Sequence, residues 1–89
     1  MNKKIVRAAA LEYGALKAPQ VIAQAEGELA ELMQEAARQS GTPLMSDEAL
    51  LEALMQLPLN EEIPESLYVA VAVVLSWAYW LTGRRPDSM

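Results

Sequence analysis

Apolar residues in the middle of the chain recur with a helical period. Leu29, Leu32, Met33, Ala36 and Ala37 fall at i, i+3, i+4, i+7 and i+8, which predicts an amphipathic helix over about 28–39. Glu28, Glu31 and Glu35 take its outer side, and Ser40-Gly41 offers a glycine stop. A second helix is expected over about 47–57: Ser46 or Asp47 is its natural N-cap, Leu50, Leu51 and Leu54 its buried side, and Pro58 its stop. A third begins with Pro64 at its first helical position, runs to about Leu81 and is closed by Gly83. Between and before these, Val21-Ile22-Ala23 after Pro19 reads as a short strand, and Thr42-Pro43-Leu44-Met45 as an extended segment. Residues 5–13 stay open on pattern alone, since their alanines favour helix while the short run before Gly14 suits a strand.

The last helix has an unusual distribution. At 100° per residue, Leu67, Val71, Val74, Ala78 and Leu81 make one stripe, yet Val69, Val73 and Trp80 fall on nearly the opposite side beside Ser76. A surface helix keeps that side polar. Either the domain sandwiches this helix or the second stripe meets another chain, and a small domain has little material to cover both sides. The apolar run from Leu67 to Leu81 falls short of the roughly 20 residues of a membrane span, so it is read as part of a protein interior or interface, not as membrane-inserted. The basic start, Lys3-Lys4 with Arg7, leads into no apolar core of signal-peptide length, and a cytoplasmic protein is expected.

Composition removes whole classes of chemistry. With 89 residues there is room for one domain, here 1–82, and a tail over 83–89 with nothing to pack. Seven basic against twelve acidic residues leave a net charge of −5, a poor match to nucleic acid. The absence of cysteine and histidine takes away disulfides, thiol catalysis, the Ser-His-Asp triad and the usual zinc ligands, so no enzyme, metal or cofactor is expected. Ten acids and a single base, Arg38, lie between Glu26 and Glu65, but the carboxylates sit opposite the apolar stripes and read as a solvated face. The scattered glycines make no phosphate loop, and the tryptophans and tyrosines at helical spacing read as core or interface.

Three stretches carry a family resemblance. They are Ala10-Leu11-Glu12-Tyr13; Ala18-Pro19-Gln20-Val21-Ile22-Ala23; and Glu62-Ile63-Pro64-Glu65-Ser66-Leu67-Tyr68 leading into Ala70-Val71-Ala72 and Val74-Leu75. In order and spacing they resemble the cytoplasmic C-terminal domain of the FlhB family, flagellar type III export switch proteins with injectisome relatives. Gly27-Glu28-Leu29-Ala30 continues the likeness, which covers about residues 6–82. The resemblance implies that residues 6–13 are a strand. It implies an α/β fold: a small sheet of about three strands near 6–13, 20–25 and 43–46, packed with three helices near 28–40, 47–57 and 64–82. The family's first strand has no counterpart here, which would leave a sheet edge open.

Family members carry a self-cleaving Asn-Pro-Thr-His motif ahead of this domain, and the cut accompanies a switch in export substrate class. At the corresponding positions this chain has Lys3-Lys4-Ile5-Val6, so autocleavage is not expected, and the chain starts where the cleaved fragment of its relatives would start. The resemblance further implies a substrate-docking patch: Ala18 and Pro19 match the family's Ala-Pro loop, Ala72 and Leu75 its last-helix contribution, although all four would equally serve as ordinary packing residues. Departures from the family are Gln20 and Gln24 in place of lysines, Ala25 for a glycine, a shorter Gly14–Lys17 loop, and the apolar Val69, Val73 and Trp80 where polar residues are usual. The expected function is a non-catalytic accessory of flagellar protein export, with export-gate components and export substrates as protein partners. The alternative is a self-associating module unrelated to export, with Val69, Val73 and Trp80 as its homo-oligomer face.

Overall fold

The computed structural model describes residues 5–14 and 18–83. Two antiparallel strands, β1 (Arg7–Glu12) and β2 (Gln20–Glu26), are followed by helices α1 (Glu28–Ser40) and α2 (Glu48–Leu54). A 3-10 turn over Glu65–Leu67 then leads into α3 (Tyr68–Thr82). The mixed α/β class and the three helices are as expected.

The register explains how so short a sheet supports helices on both sides. Arg7 pairs with Glu26 and Ala10 with Ala23, but Leu11 pairs with Val21, so Ile22 is an unpaired bulge residue. In an uninterrupted strand Val21 and Gln24 would point to opposite faces; the extra residue puts them on the same one. That face, with Ala9 and Leu11 from β1, meets α2 and α3. Val21, Leu50, Leu54, Ile63 and Val71 form its buried cluster, and Leu57, Leu67, Val74 and Leu75 pack around it. On the other face Ala8, Ala10, Ala23 and Ala25 lie across from one another and are covered by α1. The alanines that made β1 ambiguous as a sequence therefore serve as a thin layer on which a helix sits close.

That layer also corrects the expected buried side of α1. The residues turned inward are Ala30, fully buried, and the half-buried Met33, Gln34 and Ala37, whereas Leu29 and Leu32 are about two-thirds exposed. A helix lying close on an alanine surface fits small side chains beneath it, so the largest apolar residues are displaced to its flank.

The third strand expected near 43–46 does not form; residues 42–47 are irregular. The outer edge of β2 is instead lined by the segment before α3. Asn60 adopts a left-handed φ of 65° and donates its N–H to the Val21 carbonyl at 2.8 Å. Glu62 bridges Gln20, and the Ile63 N–H reaches the Pro19 carbonyl at 2.9 Å. Two or three backbone bonds thus do what a third strand would. Among the described residues β1 pairs only with β2, which leaves its far edge open.

Helix ends follow local chemistry. Asp47 caps α2 by accepting from the Leu50 N–H at 3.0 Å, and Gly41 and Gly83 close α1 and α3 in the left-handed conformation. The second helix stops at Leu54, earlier than Pro58 would require. The Gln56 and Leu57 N–H groups close its end on the carbonyls of Ala53 and Leu54, both at 3.3 Å, and Gln24 Nε2 also donates to the carbonyls of Leu54 and Leu57, both at 2.8 Å. Pro64 precedes the 3-10 turn in extended conformation (φ −70°, ψ 155°), so the last helix is entered through that turn and not directly. The expected tail over 83–89 lies outside the described residues beyond Gly83, as does the Gly14–Lys17 loop beyond Gly14.

Candidate docking surface

Pro19 and Ala18 are both half-buried at the entrance to β2. Proline has no N–H to offer a ladder, but its carbonyl accepts from Ile63, the buried residue that leads into the 3-10 turn. The Ala-Pro segment is thereby tied to the start of the last helix. On α3, Val71 is fully buried in the shared cluster and Leu75, one turn on, packs against it. Ala72 lies on the same flank as Leu75 but is exposed. Of the four expected patch residues, Leu75 packs on the cluster, Pro19 is tied to it through the Ile63 N–H, Ala18 is half-buried and Ala72 is open to solvent.

One pair on this flank was not expected from the sequence. Tyr13 and Tyr79 face each other with ring centroids 6.5 Å apart and planes tilted by 39°. Partial burial and the neighbouring Tyr13 phenol hold the Tyr79 hydroxyl above its ordinary pKa of 10.0, so it is a neutral donor and acceptor at physiological pH. The signal was present: Ala72, Leu75 and Tyr79 stand at i, i+3 and i+7, one continuous flank of a helix. The surface they make is apolar with a phenolic margin.

The opposite side of α3 is open. Val69, Val73 and Trp80 are 79%, 62% and 88% exposed, so the domain does not sandwich this helix. With the preceding 3-10 turn the segment Glu65–Thr82 reaches 18 residues at a mean hydropathy of 1.3, which is long and apolar enough to cross a membrane, and 6% of it is buried. Its inward side is nonetheless engaged, because Val71, Val74 and Leu75 belong to the domain core.

No acid–base constellation emerges among the described residues. Glu28, Glu31 and Glu35 are exposed along α1, with Glu35 paired to Arg38 at 3.3 Å, and no group of three acidic side chains converges as metal ligands would. The Glu52 carboxyl is held below its ordinary pKa by a hydrogen bond from Arg7 and by the charge of that guanidinium, 2.7 Å away. Both are surface groups joining α2 to β1.

The order of elements and the Ala-Pro and Ile-Pro junctions can be compared with known proteins. A family model described as the FlhB HrpN YscU SpaS family matches residues 7–78. The chain belongs to that family. It is 38% identical over 79 residues to the protein YlqH of Bacillus subtilis, covering 86% of this chain and 85% of that one. It is also 38% identical over 77 residues to the flagellar biosynthetic protein FlhB of Yersinia enterocolitica, covering 83% of this chain and 20% of FlhB. The FlhB of Borreliella burgdorferi is 35% identical over 68 residues, 75% of this chain and 18% of that protein. The chain thus spans about a fifth of the FlhB proteins and most of YlqH. Among solved structures, a mutated EscU C-terminal domain superposes with a TM-score of 0.79 at 22% identity, covering 96% of this chain and all of that one. The likeness establishes a shared fold and places this chain's match in an FlhB- and EscU-type domain.

Proposed function

We propose that this chain is a non-catalytic, cytoplasmic accessory of flagellar type III export that acts as the C-terminal fragment of FlhB does, docking export substrates or export-gate components. The observation that carries this reading is the extent of the family match, residues 7–78, which takes in both halves of the patch. Ala18 and Pro19 from the β2 entrance and Ala72 and Leu75 from α3 are the docking residues. Small apolar side chains over a packed cluster leave room for an extended segment, and the backbone tie from Pro19 to Ile63 keeps the two halves in fixed relation. The positions corresponding to the self-cleavage motif, Lys3-Lys4-Ile5-Val6, supply neither its asparagine–proline bond nor its histidine. The chain therefore acts as a binding piece and not as a self-processing switch.

The test is genetic and physical together. The chain is expressed in a strain whose FlhB lacks its C-terminal fragment, and export of rod and hook proteins is scored. Restored export is expected, with loss of that gain in Ala72→Glu, a change at an exposed position that leaves the core intact. No gain in export, together with no measurable binding of the purified chain to export-gate components or rod and hook proteins, removes the proposal.

A further inference from the structure

The outer face of α3 has a spacing of its own. Val69, Val73, Ser76 and Trp80 follow steps of four, three and four, the alternation of the a and d positions of a coiled-coil seam. Ala70 and Ala72 flank it and are exposed, so backbones can approach along its N-terminal half. No charged residue occurs anywhere in Tyr68–Thr82. We infer that this face is a twofold interface between two copies of the chain, with α3 packed antiparallel against α3 of the second copy.

The sequence positions satisfy a single twofold axis. Placed between Val73 and Ser76, it sets Val69 opposite Trp80 of the second copy and Val73 opposite its Ser76. Each indole then enters a hole formed by Val69, Ala72, Val73 and Ser76 of the other helix. Two of those four side chains are small, which gives the hole the depth a large ring needs. The exposed Val69, Val73 and Trp80 open on the order of 500 Å² on each copy, so pairing removes about 1,000 Å², the size of a weak, reversible interface.

Charge selects a second copy over other occupants. Two molecules of net charge −5 repel unless they meet through uncharged surface. α3 provides such a surface on one side of the sheet, while Glu28, Glu31 and Glu35 of α1 lie on the other. A lipid surface would instead favour basic residues around the apolar face, and the residues leading into α3 are Glu61, Glu62 and Glu65. The interface shares Ala72 with the proposed docking patch and leaves Leu75 and Tyr79 uncovered, and its test by oligomeric state does not depend on the export reading.

Sedimentation velocity on the full chain from about 10 to 200 µM should show a monomer–dimer equilibrium, and Trp80→Glu should weaken it at least about tenfold while leaving the circular dichroism spectrum unchanged. The chain has no cysteine, so disulfide trapping is free of background. Val69→Cys mixed with Trp80→Cys should cross-link, and Val69→Cys alone should not, since the two Val69 positions of an antiparallel pair lie about 16 Å apart along the axis. A parent that stays monomeric across the range, undiminished association in Trp80→Glu, or efficient cross-linking of Val69→Cys alone overturns the inference. So does a monomeric chain that floats with phosphatidylglycerol vesicles.

Discussion

At the scale of single residues, Gln24 connects sheet and helix most directly. Its amide donates to the carbonyls of Leu54, at the end of α2, and of Leu57, just beyond it, and Leu54 also accepts from the Leu57 N–H at 3.3 Å. Gln24→Glu removes both donors and sets a carboxylate against the negative end of a helix dipole, so it should cost about 1–3 kcal/mol in urea unfolding. Gln24→Lys, which keeps a donor, should lose less. Equal losses in both variants would show that the bonds to Leu54 and Leu57 contribute nothing. This contact was not legible in the sequence, because it depends on the bulge at Ile22, which turns Gln24 toward α2. Asp47, Gly41 and Gly83 were legible because capping is local: residue type, backbone angle and unpaired helix end all fall within one turn.

Among elements, α2 is the shortest helix, seven residues, and it contributes two of the five buried cluster residues. Helices this short do not hold themselves together. Removing the Asp47 cap by Asp47→Ala should therefore cost about 1 kcal/mol of global stability, seen as a lower urea midpoint with unchanged slope. A changed slope with an unchanged midpoint would instead mean that α2 frays locally. The elements also show where periodicity fails as a guide. The stripe Leu29, Leu32, Met33, Ala36 and Ala37 identified α1 as a helix but misassigned its inward side, because periodicity ranks faces by apolar bulk and not by what fits against an alanine sheet. The β2 edge was misassigned for a related reason. Residues 60–63 dock through backbone atoms, and such contacts impose no side-chain alternation. The two-faced apolar character of α3 could be read directly, and so could the open question of what meets its outer side.

For the whole molecule, the long-range ion pair Arg7–Glu52 ties β1 to α2 across 45 residues of sequence. Glu52 has a pKa below its ordinary 4.5 in the fold, so the pair's contribution is complete above the unfolded-state pKa and is lost as pH falls through the lower folded-state value. Urea midpoints should accordingly decline as pH drops below about 4.5, and Glu52→Gln should lower the midpoint modestly at pH 7 and converge on the parent in acid, which flattens that part of the profile. A Glu52→Gln profile parallel to the parent's would show that the ion pair is not linked to folding. At this scale α3 presents two sides: Leu75 packs on the domain core, and Val69, Val73 and Trp80 are turned away from it.

The bulge at Ile22 also bears on how this chain can change length. Val21 and Gln24 share a face because one unpaired residue lies between the pairs that flank it. Deleting Ile22 would join the pairs that flank it into a regular ladder, with Val21 and Gln24 then two residues apart and still on one face. The irregular 42–47 segment holds no ladder bond, so a residue gained or lost there displaces no pairing either. Single-residue length changes should therefore be tolerated at position 22 as well as in that segment, since neither alters the face that Gln24 occupies.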